Sequence, residues 1–435
     1  MDASNYRNTQ TQVKHEILSR YLDTWGGIIL HGLRNAKAQR KWHFVYVDCF
    51  SFIGKYDGDK DDIFRLNPNL EPRYGSPIIG IRALDKLALM ASKYGLEIVT
   101  NSILIEKDRK NFQQLQVTLD ECNFEQRVKF TAQFDKLSNH EISLINEDAI
   151  SLVDNLISFT NQKYVWAFYL IDPYGPTGIP FDFIQKIICC NHHDVLINFV
   201  YEDLLRKSGM FFNEKLESQH KGLIENWKNA FGDEIWNNIV LKSFIENKNL
   251  LQINKDSSST SIQNFTTNEF NKERLLTDAY CLSLHKMDPT IAIKLIALQF
   301  PDKARTMFYL FLTTHDPTGA LALNEILFKA KLLEYELRYE LVYLKQKPKN
   351  QLSLLDPVEF LPINPTLIKP NIETISNEIY KLFQGKTLSL KDIYMGLIDT
   401  LYFKSDINKS LIILKKQGKL KYNGNLANRT IIKFL

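Results

Sequence analysis

Short apolar runs that end in a polar or acidic residue alternate with amphipathic segments over the first 200 positions of the chain. The apolar runs cover residues 43–48, 98–105, 128–130, 166–172 and 194–200. Between them, apolar residues recur at helical spacing, for example over 11–35 and 111–119. Runs this short are typical of parallel strands that are buried on both faces. The alternation predicts an α/β fold in which right-handed helical crossovers connect parallel strands.

Residues 202–285 interrupt this alternation. Their apolar and charged residues predict helices, and a serine-rich tract at 256–261 predicts a flexible connection. We interpret the segment as a helical insertion that caps the fold and recognises the substrate. Apolar runs at 291–300 and 307–315 then predict a β-hairpin. This antiparallel hairpin completes a predicted Rossmann-like, mostly parallel sheet of seven strands.

The chain is therefore predicted to divide into a main domain and a tail. Residues 1–201 and 286–345 form the main domain, and 346–370 form a linker that contains Pro and Asn. The tail, 371–435, has the winged-helix pattern of three helices and two short strands. Its basic residues include Lys409, Lys415, Lys416, Lys419, Lys421 and Arg429. They could contact phosphate groups, although winged helices also bind proteins and lysines also keep surfaces soluble.

Composition narrows the class of protein. The 435 residues, 44% of them hydrophobic, suffice for two or three domains with cores of their own. A chain without an apolar run of about 18 residues, and with a polar start, is expected in the cytoplasm with no membrane partner. Five cysteines without a CxxC pair argue against disulfides and structural zinc. The net charge of +4 neither proves nor opposes a nucleic-acid partner.

Three of the predicted parallel strands end in or next to an acid. Ligands of such sheets bind at the carboxyl ends of the strands, so Asp48, Glu106 and Asp172 are expected at one site. Glu106 closes the second strand, where one carboxylate can accept from both hydroxyls of a ribose. Asp172 and the carbonyl of Pro173 are acceptors suited to the exocyclic amine of a nucleobase, and the Tyr174 ring could stack on the base. On this stretch alone, a strand end with a turn is the simpler interpretation.

Other residues border the same predicted site. Gly54 would let the backbone approach a cofactor, although Phe52 stands where a second glycine is expected. Ser76 is predicted as the N-cap of a helix whose positive end could face an anion. Asp148 could meet an adenine amine, or could simply cap the helix predicted to begin near Ala149.

The first amphipathic helix carries the adjacent residues Lys14 and His15. Neighbouring helical residues point about 100° apart, so the two need not share a target. Taken alone, Lys14 is more often a solvated surface lysine and His15 more often a satisfied boundary histidine.

As an ordered set, these motifs resemble the three-Cys-motif partner proteins. The set comprises Lys14-His15, Val47-Asp48-Cys-Phe50, Gly54-Lys-Tyr56, Gly75-Ser76-Pro77, Ile105-Glu106-Lys-Asp108, Asp172-Pro173-Tyr174-Gly175 and Asp194-Val-Leu-Ile-Asn198-Phe. Those proteins are class I methyltransferase-like and are named for their association with a cysteine-motif protein. The resemblance extends from about Val13 to Lys329. More distantly, the helix ahead of the first strand is similar to the J-type rRNA adenine-N6 methyltransferases.

The resemblance implies an S-adenosylmethionine site. Asp48, Phe50 and Gly54 would line it, together with His15 and Ser76, while Glu106 would hold the ribose, Asp148 would approach the adenine and Lys14 would pair with the methionine carboxylate. Asp172, Pro173 and Tyr174 would hold the target amine and base. Two departures stand out. Phe52 replaces a glycine that the family usually has. The motif Asp-Pro-Tyr-Gly is one residue short of the Asp-Pro-Pro-Tyr that the J-type rRNA methyltransferases bear at the fourth strand.

We therefore predict a methyltransferase that uses S-adenosylmethionine on a nucleic acid, at an exocyclic amine and without a metal. The alternative, favoured by Phe52, is a binding protein that kept the fold, lost the chemistry and works with a partner protein in a phage-related or defence system. A methyltransferase for a small molecule or peptide is disfavoured by the tail and the insertion.

Overall fold

A mostly parallel sheet of eight strands forms the centre of the protein. The computed structural model describes residues 6–34, 41–59, 73–173, 179–199, 218–243, 272–299, 306–346 and 370–435. The strands of the sheet are β1 (Trp42–Asp48), β2 (Ile98–Ile105), β3 (Val128–Lys129), β4 (Ile142–Ile145), β5 (Val165–Ile171), β6 (His193–Phe199), β7 (Ala292–Gln299) and β8 (Thr306–Thr314). Their spatial order is β7-β8-β6-β5-β1-β2-β4-β3.

All neighbouring strands from β3 to β6 run parallel, whereas β8 runs antiparallel to both β6 and β7. The predicted mixed α/β architecture, with a parallel sheet and a terminal antiparallel hairpin, is thus present. The sheet has eight strands rather than seven, because Val128–Lys129 and Ile142–Ile145 both pair as strands. The two-residue strand β3 has no room for an apolar pattern that would distinguish it from a loop.

Helices cover both faces of this sheet. They are α1 (Thr9–Leu33), α2 (Ser76–Lys93), α3 (Arg109–Glu121), α4 (Val153–Thr160), α5 (Phe181–Ile188), α6 (Ser218–Phe231), α7 (Lys272–Met287) and α8 (Pro317–Gln346). A short helix at Asp233–Ile235 continues into a π-helical segment at Trp236–Leu241, and 3₁₀ turns lie at Glu125–Arg127 and Phe134–Lys136.

Side chains of β1 alternate between the two faces. Val45 and Val47 belong to a core shared with α4, α5 and α7, whereas Phe44 and Tyr46 belong to a core shared with α1, α2 and α8. A strand with a period of two and apolar residues on both sides needs a helical layer on each face. The uninterrupted apolar run in the sequence follows from this arrangement.

Two helix starts differ from the predictions. The N-cap of α2 is Gly75, and Ser76 is its first helical residue. The Ser76 hydroxyl instead hydrogen-bonds Asp48. The helix predicted near Ala149 begins at Val153, because residues 149–152 form turns after Asp148. In the insertion, 218–243 and 272–285 are described and helical, while 202–217 and 244–271 lie outside the described residues, as do 347–369 of the predicted linker.

Two pairs of short strands lie outside the main sheet. Tyr6–Arg7 pairs in parallel with Gly58–Asp59, and Lys55–Tyr56 pairs antiparallel with Arg73–Tyr74. Together they bring the segment before α1 and the segment after β1 side by side. Residues 60–72 between them lie outside the described part.

The tail contains three helices and three strands around its own core. The helices are α9 (Ile372–Phe383), α10 (Leu390–Gly396) and α11 (Lys404–Lys416), and the strands are β9 (Thr387–Ser389), β10 (Leu420–Lys421) and β11 (Ile431–Phe434). The strands form an antiparallel sheet in the order β9-β11-β10. Strand β9 is additional to the two predicted strands.

Buried polar contacts hold the tail against the main sheet. The Lys294 ammonium of β7 donates to the carbonyls of Ile398 (2.8 Å) and Thr400 (2.7 Å). The Asn324 amide of α8 donates to the carbonyls of Thr400 (3.0 Å) and Tyr402 (2.7 Å). Burial lowers the pKa of Lys294 to about 8. The tail is thus docked by hydrogen bonds whose loss would leave buried polar groups unpaired.

Candidate functional site

Three acidic side chains meet at the carboxyl ends of three adjacent strands. Asp48 is the last residue of β1, Glu106 follows β2, and Asp172 follows β5. Strand β1 lies between the other two, and Asp48 is in register with Leu104 of β2 and Leu170 of β5. We call Asp48, Glu106 and Asp172 the carboxyl rim.

Asp48 is the most deeply buried member of the rim, with no exposed surface. Its carboxylate accepts from the Phe50 backbone N–H (3.3 Å) and from the Tyr46 hydroxyl (3.1 Å). The pKa of Asp48 is raised to about 7, mainly by burial and also by the negative charge of Asp172, while the Ser76, Phe50 and Tyr46 hydrogen bonds act to lower it. A carboxyl group in this state would gain from a bound cation, which favours its charged form.

The Tyr46 hydroxyl reaches Asp48 because Gly80 leaves space for the ring. A Cβ at Gly80 would lie 2.1 Å from the Tyr46 ring, so only glycine allows α2 to approach β1 this closely. The same hydroxyl lies 3.2 Å from the Ser76 carbonyl at the start of α2. Strand, helix start and rim are therefore fixed relative to each other.

Glu106 is held by backbone groups. One carboxylate oxygen accepts from the Phe52 N–H (2.7 Å) and the other from the Asp108 N–H (2.8 Å). Burial raises the pKa of Glu106, although these two N–H groups oppose the rise. The Asn111 side chain is a third hydrogen-bond partner of this carboxylate, so one of its four lone pairs remains for a hydroxyl group.

The loop after β1 turns through two residues with left-handed backbone. Phe52 has φ 53° and Gly54 has φ 72°. This region costs a non-glycine residue about 1–2 kcal/mol, so glycine would be less strained than phenylalanine at position 52. A Cβ at Gly54 would meet Leu115 of α3 at 2.6 Å. Gly54 thus serves the turn and the close packing of α3.

Lys14 forms an ion pair with Asp172. The two side chains are only 13% and 17% exposed, and the second Asp172 oxygen accepts from the Asn198 amide at 2.7 Å. The Lys14 ammonium also lies 5.8 Å from the centre of the Phe308 ring. Lys14 was predicted to pair with a cofactor carboxylate. In this structure it pairs with the predicted acceptor of the target amine.

His15 is buried next to the rim, beside Tyr56. Their ring centres are 5.8 Å apart, and the buried His15 Nδ1 has no hydrogen-bond partner among the described residues. Burial, aided by the positive charges of Lys14 and Arg7, lowers the pKa of His15 well below its usual value, so the ring is neutral at pH 7. Burial and the charges of Asp172 and Asp48 raise the pKa of Tyr56.

Asp148 lies at the outer end of this edge. It accepts from the Ile150 N–H (3.0 Å) and pairs with Lys107 (2.7 Å), and its side chain is 32% exposed. Burial acts to raise its pKa, but the Lys107 contact and the Ile150 N–H lower it overall. The Asn146 amide donates to the Glu106 carbonyl at 2.8 Å. The alternative in which Asp148 caps a helix is wrong, because the N-cap of α4 is Leu152 and Asp148 caps the turn that precedes it.

The predicted catalytic segment is described only in part. Asp172 and the buried Pro173 are described, whereas Tyr174 lies outside the described residues. Where the chain resumes, Pro180 and Phe181 line a cavity of about 550 Å³ together with Gly232 and Asp233 of the insertion. The cavity thus lies at the start of α5.

Sequence reasoning assigned no role to several residues of the site. Tyr46, Asn198 and Arg7 were missed. Tyr46 lies two positions before Asp48, so the period of a strand could have placed both on one face. Asn198 is a polar residue near the end of an otherwise apolar strand, which was the available signal. No pattern in the sequence indicated Arg7.

No group of three or more His, Cys, Asp or Glu side chains in the described ranges is arranged to hold a metal ion. None of the helices in the described ranges combines the length and apolar character needed to cross a bilayer.

No protein-family model matches the chain, and no curated protein matches it. Among solved structures, it is similar to a Legionella pneumophila protein assigned to the family model DUF519. The identity is 11%, the match covers 71% of this chain and 85% of that chain, and the TM-score is 0.35. A likeness at this level carries no argument about function.

Proposed function

We propose that the protein is an S-adenosylmethionine-dependent methyltransferase that acts on an exocyclic amine of a nucleic acid. The observation that carries the proposal is the carboxyl rim, three acids on adjacent parallel strands with Lys14 directed at one of them. Carboxyl ends of parallel strands are where open α/β sheets bind their ligands. A mostly parallel sheet that ends in an antiparallel hairpin also agrees with the class I methyltransferase-like fold.

The rim offers partners for the polar groups of that cofactor. Asp48 would receive its ammonium group, because a buried carboxyl with a pKa of about 7 is stabilised by a neighbouring cation. Glu106 would accept from one ribose hydroxyl with its remaining lone pair, and from the second once the Asn111 side chain moves aside. Asp148 would approach the adenine, provided that Lys107 moves aside. When bound, S-adenosylmethionine would supply an electrophilic methyl group.

Asp172 is assigned to the target amine, which receives the methyl group. The two Asp172 oxygens accept from Lys14 and Asn198, so a target amine would use the second lone pair of one oxygen or displace a donor. Lys14 would release Asp172 by pairing with the methionine carboxylate of the cofactor instead. Asn198 would keep Asp172 oriented, and Asp172 would accept a hydrogen bond from the amine and then its proton. Orientation and exclusion of water are the main contributions such a site can make.

Asp172→Asn tests this assignment. The amide keeps the shape of the side chain but loses the charge that accepts the proton, so we expect methyl transfer to fall by at least about 10²-fold. Transfer of label from methyl-labelled cofactor into RNA and DNA measures the rate, and calorimetry measures cofactor affinity. An affinity within about three-fold of the parent supports the role, since Asp172 would not hold the cofactor. Parent-like transfer by Asp172→Asn would refute it.

A second candidate is a binding protein that kept the fold without the chemistry and works with a partner protein. The geometry of Phe52 favours it, because a bulky residue holds a left-handed backbone and its N–H already occupies Glu106. Titration of the parent and Phe52→Gly with S-adenosylmethionine separates the candidates. Binding by either chain, with methyl transfer, supports the enzyme. Absence of binding by both supports the second candidate.

A further inference from the structure

The tail has a strongly basic end. Residues 371–435 contain eleven Lys or Arg and five Asp or Glu, whereas the rest of the chain is slightly acidic. From Ile407 to Leu435 there are seven basic residues and no acidic residue. Such an asymmetry is typical of a surface that meets a polyanion.

Strand register places two of these lysines side by side. Lys421 of β10 is directly opposite Lys433 of β11, which in turn is opposite Thr387 of β9. Their neighbours Leu420, Ile432 and Phe434 are buried, so Lys421 and Lys433 lie on the outer face of the small sheet. Like charges directly opposite each other destabilise a sheet, and a bound anion would relieve this repulsion.

Two more lysines extend this surface, and we call Lys415, Lys419, Lys421 and Lys433 the basic wing. The Lys415 ammonium lies 3.9 Å from the centre of the Tyr422 ring, and that of Lys419 lies 5.2 Å from the Tyr380 ring. Within the described chain, none of the four forms an ion pair with Asp or Glu. Aromatic rings beneath the ammonium groups hold them without neutralising their charge.

The start of α11 is turned toward the main domain. The Phe403 ring packs 5.8 Å from the Phe328 ring of α8, and the Asn324 amide holds the Tyr402 carbonyl at 2.7 Å. Burial lowers the pKa of Lys404. Helix-turn-helix proteins use the first residues of a recognition helix to contact base edges. In this chain α8 contacts Tyr402 and Phe403 at that start, whereas the basic wing is exposed except for the half-buried Lys419.

We propose that the basic wing binds the phosphate backbone of a nucleic acid without reading its sequence. The inference rests on the proposed function for the choice of partner and adds the surface that would hold it. Two exposed apolar residues, Ile431 and Leu435, share the parity of Lys433, which is too little apolar surface for anchoring in a membrane. Four lysines on phosphates correspond to a slope of roughly −3.6 in log affinity against log salt for a duplex.

The test uses the full chain and mixed-sequence 24-base-pair duplexes of DNA and of RNA, titrated at several salt concentrations. We expect Lys421→Gln with Lys433→Gln to reduce the salt slope by about 1.8 and to weaken binding roughly ten-fold or more near 0.1 M salt. Scrambled duplexes should bind equally well. Comparison of the two duplexes shows which kind of backbone is preferred.

Two control variants make the result specific. The exposed residues Lys93 and Lys163 belong to the main domain, so Lys93→Gln with Lys163→Gln makes the same change in net charge elsewhere. Lys409 is an exposed lysine of α11 outside the wing, so Lys409→Gln tests binding along the helix. Both are expected to change duplex affinity by less than about two-fold.

Three results would overturn the proposal. They are equal losses in the wing and main-domain variants, a larger loss in Lys409→Gln, or binding to phosphatidylserine vesicles without binding to either duplex. Calorimetry with S-adenosylmethionine on the wing variant separates this inference from the proposed function. Duplex binding through the wing without cofactor binding would uphold the inference and reject the methyltransferase.

Discussion

The carboxyl rim and the basic wing hold charge in opposite ways. At the rim, Asp48 and Asp172 are largely buried, and each carboxylate is fixed by named donors. At the wing, Lys421 and Lys433 are exposed and face each other. A buried, fixed charge suits a ligand of one shape, because desolvation makes a mismatch costly. An exposed, repeated charge suits a polymer whose phosphates recur. Single substitutions should therefore have severe effects on stability and binding at the rim, whereas at the wing their effects on binding should be small and additive.

The largest effect is expected where the rim is fixed by packing. Gly80→Ala would place a Cβ 2.1 Å from the Tyr46 ring. Overpacking of a tight core costs about 1–3 kcal/mol or more, and displacement of Tyr46 would also remove a donor from buried Asp48 at a further cost of about 1–3 kcal/mol, so a total above about 4 kcal/mol is expected. Chemical denaturation should show this loss of unfolding free energy. Gly27→Ala in α1 is the matched control, since its Cβ would meet only Met90 at an ordinary 3.8 Å. A similar stability for both variants would contradict the account.

An intermediate effect with a defined pH dependence is expected for Asp48→Asn. Folding raises the pKa of Asp48 to about 7, so the folded chain binds the proton more tightly than the unfolded chain. The parent therefore loses stability from this group as pH rises from about 4 to 7. Asp48→Asn should escape this loss and be more stable than the parent by roughly 2–4 kcal/mol at pH 8.

The advantage of Asp48→Asn should fall by about half at pH 5, where Asp48 is protonated in the folded parent but mostly ionised in the unfolded chain, and should disappear below about pH 4. Denaturation of both chains at pH 5 and pH 8 measures the difference. Because the two chains are compared at each pH, the contributions of groups that titrate in both, such as Asp194, cancel in the difference in unfolding free energy. A difference that stays constant with pH would show that Asp48 does not have a raised pKa.

The smallest effect is expected at the outer end of the rim. Lys107→Gln removes the ion pair with Asp148, in which the lysine is 74% exposed. Water screens such an exposed pair, so the unfolding free energy should stay the same within the error of chemical denaturation. Release of Asp148 should leave cofactor affinity unchanged or slightly higher if Asp148 approaches the adenine. A strong loss of affinity would instead assign a binding role to Lys107.

The strand ends were predictable because their signal is local. An apolar run that stops at Asp48, Glu106 or Asp172 marks both a buried strand and a polar edge, and parallel pairing brings these ends together. The capping box at Ser389 and Asp392 is local in the same sense, because its two residues are three positions apart.

The partners within the site were not predictable in this way. Lys14 and Asp172 are 158 residues apart, and their contact depends on how α1 packs over the sheet. The left-handed backbone of Phe52 contradicts its residue type, so no propensity would indicate it. Strands β3 and β9 have only two and three residues, and pairing with neighbours determines them more than their own sequence does.

Calorimetric titration of the parent chain with S-adenosylmethionine at pH 8 tests the central claim most directly. The account predicts saturable binding at one site and a loss of at least about ten-fold in affinity for Asp48→Asn, with parent-like affinity for Lys93→Gln. Absence of binding in the parent and in Phe52→Gly, or equal binding by the parent and Asp48→Asn, would contradict it.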